Sequence, residues 1–204
     1  ADTIAAPKKT LTGKRIAIAR DAAFSFLYHA NVDCLQTLGA TLVYFSPLQD
    51  SALPACDAVY LPGGYPELHL DALSKNCMLK TALQQHHAAN KPLIAECCGL
   101  LYLLNTLTDK HGQQADMVGL LCGDAVMQNK LANLGLHSVS LPEGEVRGHT
   151  FHHSQTSSAL TPLTMTQGKR GKPEPVYRDK KLHASYLHLY FPSNPTAIAR
   201  LFSA

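Results

Sequence analysis

The stretch PLIAECCGLL, residues 92–101, carries the clearest indication of both the fold and the chemistry of this chain. Residues 93–95 are short, apolar and β-like, and from Gly99 onward the spacing of apolar residues suits a helix. A strand that leads through a sharp turn into a helix exposes one side chain at the apex of the turn. The stretch therefore predicts a strand, an exposed thiol and a helix in direct succession.

The apex of this turn is assigned to Cys97. Such a turn has room only for small residues two positions before and two positions after its apex. Cys97 has Ala95 and Gly99 at these positions, whereas Cys98 would have larger residues there. The start of a helix also favours a thiolate through the helix dipole and free N–H groups. We predict Cys97 to be a nucleophile; the competing interpretation is two buried cysteines at the start of an interior helix.

Short strands and helices alternate on both sides of this stretch, which indicates a parallel, doubly wound α/β sheet. In such sheets the chemistry lies beyond the carboxyl ends of the strands. The second half is more β-like, and residues 166–175 are predicted to form a mobile loop. The predicted strands are 16–19, 41–45, 58–61, 93–95, 139–141, 146–152 and 183–191, and the predicted helices are 24–38, 71–89 and 99–107.

A second candidate loop, Pro62-Gly63-Gly64, directly follows the predicted strand 58–61. Two glycines let backbone N–H groups approach a substrate oxygen, as an oxyanion hole requires. The alternative is a plain Gly-Gly turn.

A histidine on a strand near the carboxyl terminus, His188, is the candidate general base for the thiol. His149, His152 and His153 compete for this role. These three histidines lack a clear carboxylate or thiol co-ligand, so we predict no metal site.

The composition and charge of the chain argue against nucleic-acid-binding and membrane-spanning functions. The chain has 204 residues, of which 46% are hydrophobic, and its net charge is only +3. One globular domain is expected, without the basic run typical of nucleic-acid binding and without an apolar stretch long enough for a membrane. The six cysteines are scattered and no signal peptide is visible, so we expect reduced thiols and a cytoplasmic location.

Six motifs occur in an order that resembles one known family. They are ARDAAFSFLYHAN (19–31), VYLPGGYPELH (59–69), PLIAECCGLLYL (92–103), GLLCGDAVM (119–127), VRGHTFHHS (146–154) and ASYLHLYFPSNP (184–195). The family is the C-terminal glutamine amidotransferase domain of cobyrinic acid a,c-diamide synthases. The resemblance covers residues 14–204 and implies a class I, triad-type glutaminase with a flavodoxin-like, mostly parallel sheet and helices on both faces.

The resemblance also implies partners. Glutamine would be the substrate, and its ammonia would amidate the a and c acetate carboxylates of a corrinoid, cobyrinic acid. An N-terminal synthetase domain with ATP and Mg²⁺ would activate these carboxylates. The chain contains no G-x-x-x-x-G-K-[ST] loop, so we expect that domain to be absent, no cofactor in this chain, and residues 1–13 to be a disordered or linker remnant.

The resemblance implies roles for the residues that match the functional positions of the family. Cys97 matches the nucleophile and His188 its base, while Gly63 and Gly64, with the N–H of Cys98, match the oxyanion hole. Glutamine would be held between Tyr65 on one side and the segment of His152, His153 and Ser154 on the other.

Three positions depart from the family pattern: Cys98 replaces a glycine, Thr150 a glutamate, and Tyr190 a second histidine. No third triad member can be named. Besides a glutaminase, two hypotheses therefore remain: a catalytically weak or inactive domain with a binding or regulatory role, and a cysteine hydrolase of another superfamily.

Overall fold

Fifteen strands and five α-helices are described for residues 8–203 by a computed structural model. The strands are β1 Arg15–Ala19, β2 Thr41–Phe45, β3 Ala58–Leu61, β4 Leu93–Glu96, β5 Thr106–Thr108, β6 Gln114–Asp116, β7 Asp124–Met127, β8 Asn133–Leu141, β9 Gly144–His152, β10 Ser154–Ser157, β11 Thr164–Met165, β12 Gln167–Gly168, β13 Pro175–Asp179, β14 Leu182–Ser185 and β15 His188–Leu189. The helices are α1 His29–Thr37, α2 Leu70–Lys75, α3 Cys77–Ala88, α4 Cys98–Leu103 and α5 Pro195–Ser203.

The central sheet has seven strands in the order β11-β13-β14-β4-β3-β1-β2. The pairs from β14 to β2 are all parallel, and β13 and β11 add an antiparallel edge. The order of the five parallel strands is that of flavodoxin-like sheets. The predicted mostly parallel, doubly wound α/β fold is confirmed.

Alternation along the buried strands divides the core between the two faces of this sheet. On β1, Ala17 and Ala19 pack in a cluster that includes α2, α3 and α4, whereas Ile16 and Ile18 pack with α1 and α5. Because successive side chains of a strand point to opposite faces, one apolar run supplies both clusters. The helices therefore cover both faces, as predicted.

Two smaller four-stranded sheets, β10-β7-β5-β6 and β12-β8-β9-β15, form most of the second half. The predicted strand 183–191 is in fact two strands in different sheets. β14 extends the central sheet beside β4, and β15 pairs antiparallel with β9, which places His188 opposite His149. This change of sheet brings His188 to the carboxyl end of β4.

Two predicted helices are shorter in the structure than in the sequence pattern. The predicted helix 71–89 is interrupted at Asn76, whose side chain accepts the Leu79 N–H and so caps α3. The predicted helix 99–107 ends at Leu103 and is followed by β5. No helix within residues 8–203 is long and apolar enough to cross a membrane.

The predicted helix 24–38 begins only at His29. Residues 21–24 form a bend in which Asp21 accepts the Ala23 and Phe24 N–H groups. The Phe26 N–H then donates to the Gly63 carbonyl at 3.1 Å. This bridge ties the segment before α1 to the Gly-Gly loop.

Part of the expected linker, residues 1–13, belongs to the folded domain. Leu11 is fully buried, and its N–H donates to the Leu38 carbonyl at 2.9 Å. Residues 1–7 lie outside the described part of the chain.

The segment 166–175 is paired and partly buried, which contradicts the predicted mobile loop. β12 pairs with β8, and Glu174 is only 5% exposed. Gly135 on β8 permits this packing, since an added Cβ would lie 2.3 Å from the Arg170 carbonyl oxygen.

Candidate active site

Cys97 lies at the sharp turn between β4 and α4 with a backbone φ of 47°. Positive φ in a residue with a Cβ is strained and is found mainly where function requires it. Gly99 permits this turn, because a Cβ there would lie 2.3 Å from the Leu61 carbonyl oxygen. The turn is therefore sharp, as the sequence predicts, but the Cys97 side chain at its apex is buried rather than exposed.

The Cys97 turn opens onto a cavity of about 360 Å³ at the carboxyl end of the sheet. The cavity is also lined by aromatic and apolar side chains, including Phe26 and Phe151. Gly63 and Cys98 do not line it. The predicted site residues that do line it are Cys97, His188, Gly64, Tyr65, His152, His153 and Ser154.

The Cys97 thiol is buried, and burial raises its pKa to about 12, with further contributions from the charges of Glu67, Glu174 and Glu96. The Cys98 N–H acts in the opposite direction. Burial therefore favours the neutral thiol over the thiolate that the helix start was expected to favour.

His188 lies in the same cavity, and its ring is fixed by neighbouring side chains. It stacks on His149 with ring centroids 4.9 Å apart and meets the edge of Phe26 at the same distance. Gly63 leaves room for the ring, since a Cβ there would lie 2.4 Å from His188 Cε1. Burial lowers the His188 pKa to about 3, so the imidazole is neutral and has a ring nitrogen without a proton, although the same burial weakens it as a base.

Two of the competing histidines already have side-chain partners. The His149 ring contacts the Tyr28 hydroxyl at 2.5 Å. His152 contacts the Glu174 carboxylate at 2.6 Å through Nε2 and the Ser154 carbonyl at 3.0 Å through Nδ1. Residues 8–203 contain no group of three or more His, Cys, Asp or Glu side chains that could hold a metal ion.

The Gly64 N–H has no acceptor among the described residues. The Cys98 N–H, at the start of α4, interacts with the Cys97 thiol. The Ala23 carbonyl organises this region: it accepts the Tyr65 N–H at 2.9 Å and the Cys98 thiol at 3.3 Å. A Cβ at Gly64 would lie 2.0 Å from the same oxygen, and its φ of 154° also favours glycine. Gly63 lies against the His188 ring. Its place in the oxyanion hole stays a prediction.

The three departures from the family pattern have different surroundings. The Cys98 sulfur points to Ala23, away from the cavity, and all six cysteines are free. The Thr150 hydroxyl donates to Glu174 at 2.8 Å. Tyr190 is exposed and outside the cavity wall.

Glu174 is a buried carboxylate that the sequence analysis missed. It accepts hydrogen bonds from Asn133, Thr150 and His152. Burial alone would raise the Glu174 pKa, but these hydrogen bonds and the charge of His152 hold it below its usual value. His152 also stacks on Tyr186 with ring centroids 3.6 Å apart. Since the surrounding sequence is rich in Gly, Pro and Lys, it gave no signal of a buried side chain.

Glu67 is a second missed residue, and it lines the cavity. It follows the Gly63-Gly64 turn in a short 3-10 helix, Pro66–Leu68. Because Glu67 stands only three residues after Gly64, the sequence could have indicated a carboxylate near the predicted oxyanion hole.

Among residues 8–203, no carboxylate lies within hydrogen-bonding distance of the His188 ring, so the structure adds no acidic third member. The buried Glu96 instead accepts the Leu189 N–H at 3.2 Å and the Tyr60 hydroxyl at 2.8 Å. Glu96 thus supports the backbone next to His188 rather than its ring.

Solved structures share this fold. One titled "Structure of PurLQS from Thermotoga maritima" matches with a TM-score of 0.61 and 11% identity, over 93% of this chain and 97% of that chain. A crystal structure titled as a glutamine amidotransferase matches with a TM-score of 0.61 and 14% identity, over 92% and 96% of the two chains. The fold is that of the class I glutamine amidotransferases.

The sequence-family model for the CobB/CobQ-like glutamine amidotransferase domain matches residues 15–196. The chain belongs to this family. It is 56% identical over 193 residues to hydrogenobyrinate a,c-diamide synthase of Stutzerimonas stutzeri (strain A1501), covering 94% of this chain and 45% of that protein. It is 47% identical over 204 residues to cobyrinate a,c-diamide synthase of Herminiimonas arsenicoxydans, covering 98% and 46%. The chain thus spans less than half the length of these relatives.

Proposed function

We propose that this domain hydrolyses glutamine through a Cys97 thioester and delivers ammonia for the ATP-dependent amidation of the a and c acetate carboxylates of cobyrinic acid or a closely related corrinoid. The observation that carries the proposal is the strained Cys97 turn, which opens onto the same cavity as the unpaired His188 ring. A thiol at a sharp turn and a neutral imidazole in the wall of one cavity are the two groups that covalent amide hydrolysis needs.

The first step starts from a neutral Cys97 thiol and a neutral His188 imidazole. As the Cys97 sulfur attacks the γ-carboxamide carbon of glutamine, His188 accepts the thiol proton, so a free thiolate is not required beforehand. The developing oxyanion is held by the N–H groups of Gly64 and Cys98. Proton transfer and C–S bond formation proceed together, because burial disfavours both ions before substrate binds.

The later steps return the proton. The His188 imidazolium gives it to the amide nitrogen, the C–N bond breaks, and ammonia leaves behind a γ-glutamyl thioester. A water molecule, deprotonated by His188, then attacks the thioester carbon and releases glutamate and the thiol.

We assign the acceptor of ammonia to a synthetase part that the matched region does not include. The relatives named as diamide synthases are about twice as long as the matched region. ATP and Mg²⁺ would activate the corrinoid carboxylates there; the residues of this chain contain no phosphate-binding loop of the Walker type. The resulting expectation is a cytoplasmic biosynthetic enzyme.

The test is ammonia release from glutamine by this chain with the synthetase part, ATP and corrinoid present. Cys97→Ala and His188→Asn should lose at least about a thousandfold in kcat, as removal of a nucleophile or its base usually does. Cys98→Ala, which removes a sulfur outside the cavity, is the matched control and should retain most activity. Absence of glutamine-dependent ammonia release in this complete system would favour the binding or regulatory alternative.

A further inference from the structure

The cavity around Cys97 has an uneven charge distribution. Within the described part of the chain, Glu67 is its single lining carboxylate, and no lysine or arginine lines it. Glu67 is half-buried and forms no ion pair with any residue of 8–203. Burial raises its pKa, and this is opposed by a hydrogen bond from its own N–H and by the facing groups Lys110, His153 and His69. A half-buried carboxylate in the wall of a cavity, with positive groups near it but none in salt-bridge contact, is suited to a cationic ligand group.

His153 is the second polar group of interest on this wall. It is half-buried, lines the cavity and faces Glu67. The ring nitrogens of His149 and His152 are already engaged with Tyr28 and with Glu174 and Ser154. Apart from the base His188, His153 is therefore the imidazole that remains available to an anionic ligand group.

A free α-amino acid carries an ammonium and a carboxylate on one carbon atom, and both need partners when a cavity takes them up. We propose that Glu67 binds the α-ammonium group of glutamine and that His153 binds its α-carboxylate. Together they make the site specific for glutamine as a free amino acid. This proposal rests on the glutaminase function proposed above.

The same arrangement links substrate binding to the nucleophile. The charge of Glu67 is one of the influences that disfavour ionisation of Cys97. An ammonium group bound to Glu67 offsets that charge, so the thiol becomes easier to deprotonate when glutamine is present. The site is then activated by the substrate that it recognises.

The test measures binding without turnover. A Cys97→Ala variant is titrated by calorimetry with L-glutamine and with 4-carbamoylbutanoate, which is glutamine without its α-amino group. Glutamine should bind about 10- to 100-fold more tightly, the range of a hydrogen-bonded charge pair. Glu67→Gln should remove this difference. Glu145→Gln, which changes an exposed carboxylate outside the cavity, should leave it intact.

His153→Ala should weaken both ligands by a similar factor, since both carry the carboxylate. A glutamine preference that persists in Glu67→Gln, or the absence of glutamine binding, would overturn the assignment of Glu67. If the binding pattern holds but the wild-type chain with its synthetase part releases no ammonia, the glutaminase proposal fails while Glu67 remains a ligand for the ammonium group.

Discussion

At the scale of single residues, glycine positions determine where the proposed catalytic side chains can lie. Gly99 allows the Cys97 turn to pack on Leu61, and Gly63 leaves space for the His188 ring. The sequence analysis assigned Gly63 to the oxyanion hole. In the structure, the lack of a Cβ at Gly63 leaves the space that the His188 ring occupies.

Gly63→Ala should displace His188 and lower kcat/KM for glutamine by about a hundredfold, because a Cβ would lie 2.4 Å from the ring and roughly 1 Å of misplacement has such an effect. The measurement is glutaminase kinetics of the single variants and of the Gly63→Ala, His188→Asn double variant. The double variant should be no slower than His188→Asn alone. Multiplied losses in the double variant would show that Gly63 acts independently of His188.

Glu96 makes stability depend on pH. Burial raises its pKa to about 8 in the folded protein, against roughly 4.3 in an unfolded chain. Between these values folding takes up a proton, so this contribution to stability is complete below about pH 4 and is lost as pH rises through 8.

Glu96→Gln removes this titration but disturbs one of the two hydrogen bonds to the carboxyl group. The variant should be less stable than wild type at pH 5, and the difference should shrink or reverse by pH 9. Denaturant unfolding at several pH values measures it. His183 and His188 also make the free energy of unfolding depend on pH. Their contributions are the same in wild type and variant, so they cancel in the difference between the two proteins. A difference that does not vary with pH would contradict the raised pKa.

At the scale of elements, the segment 164–175 is held against β8 and β9 by Glu174. Its carboxylate joins three side chains from these strands, and His152 in turn forms part of the cavity wall. The segment thus acts as a support for the wall opposite the Gly63-Gly64 loop.

Glu174→Gln should destabilise the protein by about 1–3 kcal/mol at pH 7, because buried partners lose a charged acceptor. The Glu174 pKa is lowered by folding, so its stabilising contribution is present above its unfolded pKa and lost as pH falls through the folded value. The deficit of the variant should therefore begin to shrink near pH 4 and shrink further below it, as measured by urea unfolding at pH 7 and at successive steps below pH 4. The matched control Glu145→Gln should change stability by less than about 0.5 kcal/mol. Equal effects of the two variants would exclude a supporting role for Glu174.

Local patterns predicted the parallel strands and the Cys97 turn, because apolar runs and flanking small residues act over a few positions. They did not predict the helix break at Asn76 or the burial of Glu174. Asn76 side-chain contacts include the carbonyls of Pro47 and Asp50, and Glu174 is ordered by Asn133, so both depend on residues distant in sequence. Contacts of this kind leave no periodicity in a single sequence.

At the scale of the whole molecule, the candidate site depends on β15 pairing with β9 while β14 pairs with β4. Nothing in the spacing of Cys97 and His188 indicates that they share a cavity; the ordered motifs of the family supplied that expectation. Around the cavity, Phe26, Tyr65 and Phe151 remain between 41% and 53% exposed. An apolar mouth of this kind fits a site completed by a further domain.

We therefore expect weak glutaminase activity from this chain alone, rising by tenfold or more when the synthetase part and its substrates are added, since the loops at the mouth would then be fixed. Ammonia release with and without the added part measures this. Full turnover by the isolated chain, unchanged by the addition, would show that the site is already organised.

The central claim, that Cys97 is the nucleophile for glutamine, is tested most directly by covalent labelling with 6-diazo-5-oxo-norleucine followed by peptide mapping. The account predicts one adduct on Cys97, retained in Cys98→Ala, absent in Cys97→Ala and slowed by excess glutamine. An adduct on Cys98, or labelling that survives the Cys97→Ala substitution, would contradict it.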